Sequence, residues 1–126
     1  MNSVVSIAVA AVLSVESGNN PAVKDGDGGR AVGVAQMWPV AVAEANRLEA
    51  MHAKREGRTP RRWTLRDRRN PTASRAMVVA TLAAHYRWGV TDPVDLACRW
   101  RNPNTQAPEW HRRKIKAAID AAGGVK

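Results

Sequence analysis

The sequence contains no phenylalanine, one tyrosine and one cysteine among its 126 residues. A single cysteine excludes a disulfide bond within the chain, and Cys98, inside the apolar run Leu96-Ala97-Cys98, is predicted to be a buried small hydrophobic residue. The aromatic bulk comes from five tryptophans instead. Each tryptophan can anchor the core or form a binding surface.

Metal ligands and long apolar runs are also scarce. None of the three histidines has a cysteine or a second histidine at the spacing of a zinc site, so we expect no metal and no other cofactor. The apolar run from Val4 to Leu13 is too short to cross a bilayer, and the basic residue that a secretion signal requires does not precede it. We therefore interpret this run as a structural helix, and expect no transmembrane segment and synthesis in a cytoplasm without a Sec signal.

Acidic residues are few relative to basic ones. The chain has 20 Lys and Arg against 11 Asp and Glu, which gives a net charge of +9. This surplus predicts attraction to a polyanion, either nucleic acid or an anionic bacterial envelope surface. The segments 55–69 and 99–116 interleave Arg and Lys with tryptophan, which suits phosphate contacts and base stacking. The alternative is that both segments are ordinary solvated surface.

A chain of this length, 44% hydrophobic, predicts one domain over residues 1–126. Start signals at Ser3, Pro39, Asn70-Pro71, Asp92-Pro93 and Pro108 indicate helices. Their expected ranges are about 3–17, 39–54, 72–88, 93–101 and 108–122, with Gly123-Gly124 ending the last. The Asp-Gly-rich loop after the first helix predicts a small β-hairpin pairing 22–24 with 30–32, then a short helix over 33–37. The fold class is mainly α, an α+β arrangement with one small hairpin.

The first predicted helix carries a carboxylate on its apolar face. Residues at i, i+4, i+7 and i+11 share that face, and they are Val5, Val9, Val12 and Glu16. Partial burial and the negative end of the helix dipole both favour the neutral form of Glu16, so the sequence predicts a raised pKa. A carboxylic acid that stays protonated near neutral pH suits general-acid cleavage of a glycosidic bond. The alternative is that Glu16 is merely the first solvated residue after a buried helix.

The residues around Glu16 resemble the superfamily of soluble lytic transglycosylases and goose-type lysozymes. There a helix ends in Glu-Ser, a Gly-Asn turn and Ala-Val follow, and a Gly-x-Ala-x-Gly-x-x-Gln segment comes next. Here the two segments are Glu16-Ser17-Gly18-Asn19-Asn20-Pro21-Ala22-Val23 and Gly29-Arg30-Ala31-Val32-Gly33-Val34-Ala35-Gln36. The stretch 65–77 and His85-Tyr86 resemble a phage-associated branch. The resemblance implies a lysozyme-like fold, peptidoglycan as substrate and Glu16 as catalytic acid.

Two aspartates are candidates for a second carboxylate, acting as nucleophile or as base for water. Asp27 is favoured over Asp25 because it lies in the segment that resembles the superfamily. Both also fit as plain turn residues, since Asp-Gly is a turn dipeptide. Lytic transglycosylases use no second protein carboxylate, because the sugar's own 6-hydroxyl attacks and leaves a 1,6-anhydro product.

The resemblance also implies substrate-binding residues. The Gly-x-x-Gln segment lines the cleft in the superfamily, which assigns Gln36 to it. The other candidates are Ser17, Arg30, Tyr86, Trp100 and Asn102. At 98–102 the superfamily has Ala-Arg-x-aromatic-Asn, and this chain has Arg101 in place of the aromatic residue that supports the glutamate there, with Trp100 one position earlier. We expect Trp100 to take that role after a local shift.

The leading functional expectation is a monomeric muramidase that cleaves the β-1,4 bond between N-acetylmuramic acid and N-acetylglucosamine. A small basic domain of this kind is typical of phage endolysins, made in the host cytoplasm and acting on the bacterial cell wall after release. Two alternatives stay open. One is a lytic transglycosylase acting at the same bond, and the other is a non-enzymatic basic module that binds nucleic acid or cell wall.

Overall fold

Five helices follow one another in residues 2–123, the part of the chain that the computed structural model describes. They are α1 (Ser3–Ser17), α2 (Pro39–Glu56), α3 (Pro71–Arg87), α4 (Pro93–Cys98) and α5 (Glu109–Ala121). Short 3-10 turns at Asp27–Gly29 and Leu65–Arg69 lie in the connections. The expected mainly helical, single-domain architecture is confirmed. Gly124, predicted to help end the last helix, lies outside the described residues.

Capping residues set most of the helix boundaries. Asn70 accepts a hydrogen bond from the backbone N–H of Ala73, and Asp92 accepts one from Asp95, each directly before a proline. Both start signals are confirmed. The cap of α1 is Asn2, whose side chain accepts from Val4, so the prediction of Ser3 was wrong by one residue. Helix α4 ends at Cys98 rather than near Arg101, which leaves residues 99–108 as a connection.

Helix α1 lies at the centre of the helical bundle. It packs against α3, α4 and α5, while α2 packs mainly against α3. The apolar face of α1 is buried along its length, and the largest fully buried side chains around it come from each of those neighbours: Met77, Leu82, Leu96 and Ile115. Because Glu16 lies one turn beyond Val12 on this face, the helix places a carboxylate at the margin of the core.

The predicted β-hairpin is absent from residues 2–123. Only two isolated antiparallel bridges occur, Gly26 with Ala31 and Val32 with Met37. The predicted short helix over 33–37 is also wrong, since a turn closed by Gln36 N–H donating to the Gly33 carbonyl occupies that range. Repeated positive φ angles explain both results: residues 27, 28, 29, 33 and 36 all adopt them, and this breaks any run of extended or helical backbone.

This double turn, residues 26–37, is fastened to the 3-10 turn Leu65–Arg69 that precedes α3. Gly33 has φ +80°, and a Cβ there would lie 1.8 Å from the backbone oxygen of Arg68. The Arg68 guanidinium donates back to the carbonyls of Arg30 and Met37, at 3.1 Å each. Ser74 donates to the Arg68 carbonyl at 2.8 Å. Two sequence segments that are far apart in the chain therefore form one structural unit that positions the double turn beside Glu16.

Candidate active site

An open groove of about 730 Å³ runs past the end of α1. One side is formed by the double turn and the first turns of α2, and the other by the connection after α4. Four of the residues predicted for the site line it: Glu16, Asp27, Gln36 and Trp100. The helical bundle thus brings a buried carboxylate, a second carboxylate, an amide and an indole to one surface.

Glu16 is at the inner margin of the groove, with its side chain 5% exposed. Burial raises the pKa of the carboxyl above its usual value of 4.5, and the negative charge of Asp27 adds to this effect. The Arg101 guanidinium acts in the opposite direction, as does the more weakly coupled Lys114. Burial outweighs these cations, so the pKa change has the direction that the helix pattern predicts.

Arg101 forms an ion pair with Glu16 that the sequence did not predict. Its Nη2 lies 3.1 Å from Oε1 and 3.2 Å from Oε2 of Glu16. The guanidinium also lies over the Trp110 ring, 5.9 Å from its centroid. A signal was present, because Arg101 occupies the position of an aromatic residue in the superfamily that the sequence resembles. A cation at that position could have been expected to meet the carboxylate.

Asp27 and Gln36 are held by contacts within the double turn and with Trp38, the residue that follows it. Asp27 has φ +51°, and its Oδ2 accepts a hydrogen bond from the Trp38 indole at 3.2 Å. Gln36 has φ +46°, and its Nε2 donates to the Gly33 carbonyl at 3.1 Å. A Cβ added at Gly26 would lie only 2.6 Å from the Oε1 atom of Gln36, which is too close for both to fit. Glycine at 26 therefore makes room for the Gln36 amide at the groove.

Trp100 joins the two sides of the groove. Its indole N–H donates to the backbone carbonyl of Ala35 at 3.2 Å, across 65 positions of sequence. The ring is partly buried against the core and borders Glu16 both in the groove and in a small gap that leads to His111. Trp100 therefore forms part of the groove wall beside Glu16.

The other predicted site residues lie outside the groove lining. Asp25 pairs with Arg69 at 3.0 Å, and Arg30 stacks over Trp38, 5.4 Å from its ring centroid. Ser17 donates to the Leu13 carbonyl and accepts from the Asn20 N–H, so it shapes the end of α1. Tyr86 packs partly buried against the core. Asn102 borders a separate groove, and its buried Nδ2 has no hydrogen-bond partner among the described residues.

Sequence reasoning missed several polar residues of the groove. Glu44 and Arg47 lie on α2 and form an ion pair, with Arg47 Nη2 3.1 Å from Glu44 Oε2. This hydrogen bond lowers the pKa of Glu44. Arg99 enters from the other side, anchored by Nη1 donating to the Pro103 carbonyl at 2.9 Å. The i, i+3 spacing of Glu44 and Arg47 was the available signal for the first pair.

The arrangement can transfer a proton to a group bound in the groove. A shielded acid with a raised pKa, open to a groove lined by both acidic and basic side chains, suits a general acid. Within residues 2–123, no group of three His, Cys, Asp or Glu side chains is arranged to hold a metal ion. In the same range, no helix has the length and apolar character needed to cross a membrane.

Comparisons of the chain with protein-family models, with curated proteins and with solved structures give no match.

Proposed function

We propose that the protein is a peptidoglycan-cleaving glycosidase in which Glu16 protonates the leaving oxygen of the β-1,4 bond after N-acetylmuramic acid. The observation that carries this proposal is the position of Glu16, buried by its helix yet open to a groove of about 730 Å³. A groove open to solvent suits a polymer chain better than an enclosed cavity would. The resemblance around Glu16 and at 29–36 supports the same substrate, and a phage lysis enzyme is the setting in which such a domain would act.

Asp27 is the favoured second carboxylate. It lines the groove together with Glu16. Burial is the main cause of the raised pKa of Glu16, and the negative charge of Asp27 adds to it. In a hydrolase, Asp27 would serve as the base for water or as nucleophile. In a lytic transglycosylase it would only orient the turn through Trp38. Asp25 is the weaker candidate, because Arg69 holds it in an ion pair outside the groove lining.

Glu16→Gln tests the catalytic assignment. The amide keeps the shape of the side chain but supplies no acidic proton, so clearing of a peptidoglycan suspension should slow by roughly 100-fold or more. Glu109→Gln is the matched control, because Glu109 is exposed on α5 and pairs with Arg113 away from the groove. Clearing by Glu16→Gln within a few-fold of the wild type would refute the role of Glu16.

The reaction type follows from the products. Mass spectrometry of the released muropeptides distinguishes a reducing end from a 1,6-anhydro end, which is one water lighter. Hydrolysis predicts the reducing end and a large loss of activity in Asp27→Asn. Transglycosylation predicts the anhydro end and a smaller loss in that variant, because the sugar provides its own nucleophile.

A basic binding module is the second candidate function, and one surface favours it. A groove of about 430 Å³ between α2 and α3 is lined by Arg61, Arg75 and Arg87, which have no acidic partner within ion-pair distance in residues 2–123. The tryptophan in this groove, Trp63, is only 8% exposed. It offers little surface for stacking bases, so the groove suits phosphate groups of an anionic envelope better than single-stranded nucleic acid.

A further inference from the structure

The ion pair between Glu16 and Arg101 is asymmetric in its exposure to solvent. The Glu16 side chain is 5% exposed and the Arg101 side chain 47%. Among residues 2–123, Arg101 is the one cationic side chain within ion-pair distance of Glu16, and it uses a single nitrogen, Nη2, for both oxygens. A guanidinium has five N–H donors. Arg101 therefore presents further donors at the groove, where a bound molecule can reach them.

Apart from Glu16, the contacts of the Arg101 side chain are weak. Arg101 lies beyond the end of α4, in the connection to α5. The Trp110 ring that it packs on is also contacted by Lys114, whose Nζ is 5.5 Å from the ring centroid. Two cations at one indole repel each other, so the carboxylate of Glu16 is the main attraction on the Arg101 side chain.

This pair opposes the chemistry proposed for Glu16. A general acid has to carry its proton when the substrate is bound, and a guanidinium beside it favours the ionised form. Other charged groups also face Glu16. Asp27 acts from the double turn and Lys114 from α5, while Glu44, Arg47 and Arg99 line the same groove. Of the cations in this set, only Arg101 touches the carboxylate.

We propose that Arg101 is an exchangeable counter-ion. It leaves Glu16 in order to bind a carboxylate of the substrate next to the scissile bond, which is the lactyl carboxylate of an N-acetylmuramic acid that carries no stem peptide. As Arg101 leaves, Glu16 takes one proton from the solvent and later gives it to the leaving oxygen. Arg101 is thus a residue that determines specificity for an acidic glycan over a neutral one. This inference rests on the proposed function for the identity of the site.

Two oligosaccharides of equal length separate this role from a structural one. One is a neutral chain of N-acetylglucosamine, and the other alternates N-acetylglucosamine with peptide-free N-acetylmuramic acid, which carries a lactyl carboxylate. The wild type should prefer the acidic chain in kcat/KM. Arg101→Ala should reduce that preference about fivefold, the upper end expected for one partly exposed charge pair, and Arg101→Lys should retain part of it.

Arg113→Ala is the matched control. Arg113 is an exposed arginine on α5 that pairs with Glu109, and neither residue lines the groove. This variant should keep the preference of the wild type. An equal loss on both oligosaccharides in Arg101→Ala would overturn the inference, since it would mean that Arg101 only supports the fold. A wild type without any preference for the acidic chain would overturn it as well.

A binding measurement tests the exchange without any cleavage. The Glu16 carboxyl carbon is followed by ¹³C NMR as pH is varied, with N-acetylmuramic acid or with N-acetylglucosamine added. The acidic sugar should move the Glu16 titration to higher pH in the wild type and have no such effect in Arg101→Ala, and the neutral sugar should move neither. Equal shifts with both sugars would contradict the exchange. A shift specific to the acidic sugar in a protein that cleaves no glycan would refute the proposed function and leave the exchange standing.

Discussion

Glu16 shows how far one residue can be understood from its neighbours in sequence and where that understanding ends. Its burial follows from the spacing of Val5, Val9 and Val12 along one helix face, and burial is the main cause of its raised pKa. The opposing ion pair with Arg101 joins positions 85 residues apart. Helix periodicity contains no information about such a contact. Its one sequence signal was an arginine in place of an aromatic residue at position 101, and the assembled bundle shows that this arginine is the counter-ion.

His111 is a second buried titratable residue in the same region. It is 2% exposed, and its Nδ1 has no hydrogen-bond partner among the described residues. Burial lowers its pKa below the usual 6.5, and Arg101 and Lys114 lower it further. The folded protein therefore resists a proton that the unfolded chain accepts. The contribution of a neutral His111 to the free energy of unfolding is fully present above about pH 6.5. It is lost as the pH falls towards the pKa of the ring in the folded protein.

His111→Gln should weaken this acid sensitivity. His85 is also buried with a lowered pKa, so part of the histidine contribution should remain. Between pH 6.5 and 5, the slope of the unfolding free energy against pH should fall by up to about 1.4 kcal/mol per pH unit. Urea denaturation across this range measures it. Equal slopes in the two proteins would show that the His111 ring is not kept neutral by its surroundings.

The helices and the double turn differ in how much local sequence determines them. Asn70-Pro71 and Asp92-Pro93 satisfy helix N-termini with their own side chains, so their start signals can be interpreted without tertiary information. Residues 26–37 were predicted incorrectly because Asp-Gly dipeptides are compatible with several turn geometries. The geometry adopted here depends on Arg68, which contacts the segment from 31 or more positions away.

Gly33→Ala should separate the double turn from the 3-10 turn that precedes α3. Its new Cβ would meet the Arg68 carbonyl at 1.8 Å while the backbone keeps φ +80°, so backbone atoms would have to move. We expect the unfolding free energy to fall by roughly 3–5 kcal/mol, the range of the most damaging single substitutions. Gly29→Ala is the control, since Gly29 has φ +90° and a Cβ added there would have no atom within 4 Å. It should lose only about 1 kcal/mol, and equal losses would argue against the clash.

Fewer basic side chains of the molecule are free to bind an anion than the net charge of the sequence implies. Many cations of the two basic segments form ion pairs close by: Arg58 with Glu49 and Glu56, Arg69 with Asp25, Arg112 with Asp95, Arg113 with Glu109 and Lys116 with Asp120. Arg68 is used within the fold. The runs at 55–69 and 99–116 are therefore partly structural. The net charge could be counted from the sequence, whereas the arginines free to meet an anion could not.

Replacing Arg61, Arg75 and Arg87 together by glutamine should weaken binding to vesicles containing anionic phospholipid. Each basic residue near such a surface contributes about 1 kcal/mol, so the affinity should fall by roughly 100-fold at low salt. A second triple variant, with glutamine at Arg69, Arg112 and Arg113, removes the same charge from paired positions. Its affinity should fall by only a few-fold, because those charges are already compensated locally. Co-sedimentation over a series of salt concentrations measures both variants. Equal losses would mean that net charge alone governs binding, and that the groove between α2 and α3 has no special part in it.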